Sequence, residues 1–168
     1  TKQYGQQYAL DHVSLSIQKG DIYGLIGKNG AGKTTLLKTI SRLIHANSGT
    51  VSVFGSQNTK EWNEALRKIG TVIETPVAYN QMTAYQNLNY YCKVHQIAQP
   101  DQLIKETLAY VGLSNTGKKK FRNFSLGMKQ RLGIAMALVR WPSLLILDEP
   151  TNGLDPAGIK EIRRLLGS

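Results

Sequence analysis

The 168-residue chain has one cysteine, only 11 acidic residues and no apolar run near the length of a membrane span. A single thiol, Cys92, cannot close an internal disulfide, which excludes a disulfide-stapled extracellular scaffold and favours a reducing compartment, the cytoplasm. A spanning helix needs roughly 20 consecutive apolar residues, and none is present. The chain also opens without an apolar signal segment, and it lacks internal repeats and low-complexity linkers. Disorder is excluded by the 41% hydrophobic content, evenly interleaved. A chain of this size buries roughly two-thirds of its unfolded surface, enough for one α/β unit or part of a larger one.

The shortage of acid leaves a formal charge of +10, from 21 Lys and Arg. Nucleic acid, an anionic lipid surface or a phosphate pocket could each answer such a balance. The excess is spread along the chain, nine basic against five acidic residues in 1–84 and twelve against six in 85–168. Only Lys118, Lys119, Lys120, Arg122, Lys129 and Arg131 form a dense group, and no aromatic ladder for stacking bases alternates with them. No nucleic acid is expected.

Val13, Leu15 and Ile17 alternate with polar residues, the period of a strand with one wet face. Ile22 to Ile26 predicts a second strand, which runs into the glycine-rich stretch 27–32. Leu36, Leu37, Ile40, Leu43 and Ile44 then repeat at helical spacing. Short strands are expected at 50–54 and 69–73. Thr83 with Gln86 is a capping-box pattern for a helix that carries Tyr85, Leu88, Cys92 and His95 on one stripe. Asp101 after Pro100 starts another helix, which ends near Gly112. A further helix from Ser125 turns Leu132, Ala135, Met136 and Val139 inward until Trp141-Pro142 stops it. Leu144 to Leu147 is a continuous apolar run, as in a parallel strand buried on both faces. Asp148-Glu149-Pro150 stands at its carboxyl end, where open α/β sheets bind ligands.

Gly27 to Thr34 reads G-x-x-x-x-G-K-T, in which small residues let backbone N–H groups close on phosphate oxygens. Gly30 and Gly32 permit angles that a side chain would block. Lys33 can reach the β- and γ-phosphates, the Thr34 hydroxyl can ligate Mg²⁺, and the helix that follows points its N-terminus at the anion. Asp148 is suited to hold Mg²⁺ through water, and Glu149 to polarise an attacking water; the bland alternative is an acidic strand end that caps the next turn.

The phosphate loop, Leu-Leu-Ile-Leu-Asp-Glu-Pro, the 125–131 segment and Thr151-Asn152-Gly153-Leu154-Asp155 together resemble the nucleotide-binding subunit of ATP-binding-cassette (ABC) transporters over nearly the whole chain. Generic phosphate-loop ATPases lack the 125–131 segment. Phe124-Ser125-Leu126-Gly127-Met128 stands where the family has Leu-Ser-Gly-Gly-Gln; three of five positions depart, while Ser125 and Gly127, the two that would touch a γ-phosphate, remain. The resemblance implies an α/β phosphate-loop fold with a mainly parallel core sheet, an N-terminal antiparallel β part and an inserted helical part. Residues 1–75 would form the β part and phosphate-loop core, 76–140 the helical part, and 141–168 the carboxylate strand and aspartate loop. It implies ATP and Mg²⁺ as ligands, with Gly27, Asn29, Gly30, Ala31, Gly32, Lys33, Thr34 and Thr35 on the phosphates. It also implies a head-to-tail dimer in which the partner's Ser125 and Gly127 close on the same ATP. Ser125 could equally be a plain helix cap. Asp155 would communicate across the dimer, or simply cap the last helix.

Tyr4 matches the aromatic that stacks on adenine, with Tyr8 as its competitor. Glu74 stands where the family usually has a glutamine that contacts Mg²⁺ and the attacking water. A carboxylate remains a hard ligand but adds charge beside the γ-phosphate. Glutamate here, with Ser-Leu-Gly-Met-Lys-Gln-Arg, resembles the branch that exports bacitracin-like and lantibiotic peptides. Tyr79, Tyr85, Tyr90 and Tyr91 serve either helix packing or, by family geometry, the surface that receives a membrane permease subunit, which implies a peripheral place on the cytoplasmic face of the membrane. Cys92, His12, His45 and His95 show no ligand spacing.

The family continues past Asp155 to a switch histidine, and none of the three histidines stands in that place. The chain is therefore expected to be a piece of a longer domain that begins inside its first strand and turns ATP over slowly. The function implied is an ATPase that energises export. The alternative is a soluble ABC ATPase acting on ribosomes or DNA; a small-molecule kinase fails on the 125–131 segment.

Overall fold

In the computed structural model, residues 1–56 and 59–167 are described, apart from the side chains of residues 59 and 60. They divide into two units, Thr1–Leu66 and Arg67–Ser168.

The first unit opens with a hairpin, β1 (Lys2–Tyr4) antiparallel to β2 (Gln7–Leu10), turned at Gly5, whose φ of 58° suits a residue without a Cβ. A register shift pairs Lys2 with Leu10 but Gln3 with Tyr8. After the glycine-rich loop comes α1 (Lys33–Ile40). It stops four residues short of the expected Ile44. The Thr39 and Ser41 hydroxyls donate back to the Thr35 and Leu37 carbonyls, and Arg42 takes a left-handed φ of 56°. Helix α2 (Thr59–Arg67) was not foreseen. It buries Trp62 beneath the Arg42 guanidinium, 4.4 Å from the ring centroid.

The strands expected at 13–17, 22–26 and 50–54 do not form. The first two enter no ladder among the described residues, and Val53 makes only an isolated bridge to Ser56. Alternation marks a residue row that can be half-buried, but a strand exists only by pairing, and here Ile22 and Ile26 are 90% and 96% exposed.

In the second unit, β3 (Ile69–Val72) runs parallel to β4 (Leu144–Leu147), with Ile69 opposite Leu144 and Val72 opposite Leu147. Of the β4 run only Ile146 is fully buried, so the expectation of burial on both faces holds for one residue in four. The same unit holds α3 (Ala84–Val94), α4 (Pro100–Tyr110), α5 (Leu126–Leu138) and α6 (Pro156–Leu166); α5 packs on β3, and α3 and α4 pack on each other and on α5. The local end signals hold. Thr83 Oγ1 accepts from the Gln86 N–H while Gln86 Oε1 accepts from the Thr83 N–H, Pro100 occupies the first turn of α4, and Ser125 caps α5. Leu88, Cys92, Ile104, Leu132, Ile134, Ala135 and Val139 form a core closed to solvent, with Met136 at its margin. Gly70 lets β3 approach α5, since a Cβ there would stand 2.2 Å from the Ala137 carbonyl oxygen.

Candidate functional site

The loop is exposed over residues 27–31 and leads directly into α1, whose N-cap is the half-buried Gly32. Gly32 has φ 86°, and no side chain caps the helix start. Two constraints coincide at Gly32, the left-handed backbone and a would-be Cβ 2.2 Å from the Ala9 carbonyl oxygen. Gly30 also has φ 80°, but open space surrounds it. The Lys33 ammonium donates to the Gly27 carbonyl at 2.8 Å and the Lys28 carbonyl at 3.0 Å, so it lies across the loop it belongs to. Ala31 N–H donates to the Lys28 carbonyl at 3.1 Å and closes the turn. Thr34 and Thr35 lie half-buried in the first turn of α1, which contains no acid. A helix start without a side-chain cap, a positive dipole end and a cation on loop carbonyls suit an anion.

At the carboxyl edge of the second unit's sheet, the Asp148 N–H donates to the Val72 carbonyl at 2.8 Å and extends the ladder by one residue. The register pairs Val72 with Leu147, so Ile73-Glu74 and Asp148-Glu149 leave the two strands at the same edge. Glu74 and Glu149 both take left-handed angles, φ 65° and 45°, each two residues past its strand, and both are exposed. Such angles are costly for residues with a Cβ and concentrate where a side chain must be aimed. Asn152 holds the second turn, its N–H on the Glu149 carbonyl at 3.0 Å and its Nδ2 on Glu149 Oε2 at 3.1 Å. Among the described residues, no three His, Cys, Asp or Glu side chains are arranged to hold a metal alone.

Ser125 is the cap that the sequence allowed, its Oγ accepting from the Met128 N–H at 3.3 Å, and its own hydroxyl proton remains for another acceptor. A Cβ on Gly127 would meet only Leu154 Cδ2 at 3.7 Å, an ordinary contact, so packing does not demand glycine there. Asp155 caps α6, with Oδ1 accepting from the Gly158 N–H at 2.9 Å. Leu126 and Gly127 lie against Gly153 and Leu154, which brings the start of α5 together with the turn that leads from Glu149 to Asp155.

Tyr4 and Tyr8 are both about half exposed, and the hairpin register separates them. Tyr8 shares a face with Gln3. Tyr4 shares its face with Lys2, whose ammonium is 5.1 Å from the Tyr4 ring centroid, and, through the register shift, with Leu10, whose side chain meets Gly32. The face beside the phosphate loop is thus that of Tyr4.

Of the tyrosines after Glu74, Tyr85 donates to Asp101, and its phenol is held above the ordinary value chiefly by that bond. Tyr91 is half-buried against His95, whose imidazole is lowered by burial and then by Arg140. Tyr79 and Tyr90 pack edge to face at 4.8 Å and stay exposed, with Val77 87% exposed beside them in the chain.

Sequence reasoning missed Asn87. It is buried, its Oδ1 accepts from the Tyr79 N–H at 2.7 Å, and its Nδ2 donates to the Tyr79 and Thr83 carbonyls. Gly133 was also missed; a Cβ there would stand 2.5 Å from Pro76 Cγ, so α5 seats the segment that follows Glu74. Neither residue has a sequence signal, because Asn87 acts on a turn eight residues back and Gly133 on a distant segment.

The profile of the ABC transporter family matches residues 10–152. The bacitracin transport ATP-binding protein BcrA of Bacillus licheniformis is 51% identical over 168 residues, 100% of this chain and 55% of the relative. The lantibiotic transport ATP-binding protein SrtF of Streptococcus pyogenes is 45% identical over 99% of this chain and 71% of its own length. The chain spans about half the length of several curated relatives it matches, BcrA included. Among solved structures, the dimeric post-hydrolysis state of the ATP-binding cassette MJ0796 bound to ADP and Pi is similar with a TM-score of 0.83. It is 27% identical over 98% of this chain and 76% of that one.

Proposed function

The chain belongs to the ABC transporter family, and from that premise we propose that it is part of an ATP-binding and hydrolysing subunit that powers export of a peptide antibiotic or drug-like substrate. The observation that carries the reading is the phosphate loop, with the Lys33 ammonium 2.8 and 3.0 Å from two of its carbonyls ahead of an uncapped helix. The transport names of BcrA and SrtF support peptide export over action on ribosomes or DNA.

In this reading Lys33 moves from the loop carbonyls onto the β- and γ-phosphate oxygens, while Gly27, Asn29, Gly30, Ala31, Gly32, Thr34 and Thr35 line the phosphates. Tyr4 stacks on adenine. Mg²⁺ bound with ATP would supply hard positive charge, and Thr34, Asp148 and Glu74 would hold it, their hydroxyl and carboxylate oxygens being ligands of the kind it takes. Glu149 accepts a proton from the attacking water, aimed by its left-handed backbone and by Asn152. A second subunit, head to tail, contributes the Ser125 hydroxyl and the Gly127 N–H to the γ-phosphate, so that turnover waits for closure. A membrane permease meets the surface of Val77, Tyr79 and Tyr90, which places the subunit peripherally at the cytoplasmic face. No helix among the described residues is long and apolar enough to cross a membrane.

The test is Glu149→Gln in the full-length subunit. ATP affinity should stay within a fewfold while turnover falls by about 10² or more. Turnover equal to wild type would sink the assignment of Glu149. Co-purification with a polytopic membrane protein supports export, whereas salt-sensitive RNA binding through 118–131 would favour the soluble alternative.

A further inference from the structure

The start of α5 and the segment that leaves the carboxylate turn are joined at two points. At the first, Leu126 Cδ2 would stand 2.9 Å from a Cβ on Gly153, and Leu154 lies over Gly127. At the second, Arg131 Nη2 meets Glu161 Oε2 of α6 at 2.6 Å. Arg131 is five residues beyond Leu126, about 7.5 Å along the α5 axis. One contact would leave a pivot, and two so spaced fix rotation as well as distance. The Arg131 guanidinium also runs beside Gly112, where a Cβ would stand 3.1 Å from its Nη1. Farther along α6, the Tyr110 hydroxyl donates to the Leu165 carbonyl at 2.9 Å, and Ile162 is buried in the core.

The Arg131 and Glu161 side chains are 25% and 52% exposed. So open an ion pair is worth about 0–1 kcal/mol of stability, which leaves geometry as its main consequence. We propose that Arg131 and Glu161 are positioning residues, a strut that holds Ser125 and Gly127 at a fixed offset from Glu149 and Asp155. The inference rests on the ATPase reading above. In a head-to-tail dimer, Ser125 and Glu149 of one chain serve different nucleotides, so the strut makes the two sites close together.

The test uses the full-length subunit with Arg131→Met, Glu161→Gln and the double variant, beside wild type and Lys33→Ala. Each single variant should lower kcat about three- to tenfold, with KM for ATP within twofold and the denaturation midpoint near wild type. The double variant should be no slower than the slower single one, and Arg131→Lys should recover part of the loss. Single variants within twofold of wild-type kcat, losses that multiply in the double, or losses that track a lowered midpoint would each overturn the strut while the ATPase reading stands. A wild type no faster than Lys33→Ala would overturn both.

Discussion

Three glycines separate what folding needs from what a ligand needs. Gly32 combines φ 86° with a Cβ position 2.2 Å from a backbone oxygen, so Gly32→Ala should cost about 2 kcal/mol or more of stability and abolish nucleotide binding. Gly30 shares the angle but sits in open space, so alanine there carries only the backbone cost of about 1–2 kcal/mol. Gly127 is helical, and its missing Cβ would touch one leucine at ordinary distance. Gly127→Ala should therefore be neutral or stabilising by up to about 1 kcal/mol, yet slow ATP turnover by blocking the approach of phosphate to its N–H. Urea midpoints and kcat on the same samples check both statements. A Gly127→Ala protein that is destabilised as much as Gly32→Ala would show that packing, not a ligand, keeps this glycine.

Elements whose ends are set by neighbouring residues were legible in the sequence. The Thr83–Gln86 box, Pro100 and Ser125 act over three or four residues, and the helices begin where these signals stand. The phosphate loop was legible for the same reason, being contiguous. Strands at 13–17, 22–26 and 50–54 were expected from alternation alone, but a ladder needs a partner that no local pattern supplies. The contacts that position the candidate site were illegible because they are tertiary: Gly133 on Pro76, Arg131 on Glu161, and Asn87 on Tyr79. Asn87 makes its part of this checkable. It ties the segment after Glu74 to α3 with two side-chain bonds to Tyr79, and a third goes to the Thr83 carbonyl, while the capping-box bonds use the Thr83 hydroxyl and N–H instead. Asn87→Ala should cost about 1–3 kcal/mol in a denaturant titration and raise proteolysis within 76–82, with helix content kept. An unchanged cleavage pattern would mean that the segment is held by something other than this amide.

At the scale of the whole molecule, the +10 charge and the exposed aromatics can be read together. The dense basic stretch is partly engaged inside the fold: Arg131 pairs with Glu161, Lys129 lies 5.5 Å from the Phe121 ring centroid, and the Lys119 ammonium approaches Met128 Sδ at 3.7 Å. What stays exposed, Lys118 and Arg122 among it, lies in a loop tied to the segment after Glu74. The Arg122 N–H donates to the Asn80 carbonyl and the Phe121 N–H to the Met82 carbonyl. Exposed Val77 and Tyr79, with Tyr90 packed on Tyr79, thus stand in or against a segment whose backbone is bonded to Phe121 and Arg122, and exposed apolar side chains of this kind suit a docking patch. The same patch follows Glu74 directly, so a partner seated on it could sense the carboxylate edge of the sheet. Val77→Asp with Tyr79→Ser should leave ATP turnover by the subunit within about twofold, because neither side chain belongs to the proposed nucleotide machinery. Recovery of the subunit with membranes and substrate export should fall by about tenfold or more, the scale of losing a buried interface anchor. Membrane sedimentation and a resistance assay in cells read the two effects separately. If both persist at wild-type level, the permease meets some other surface, and the aromatic stretch is packing for α3 alone.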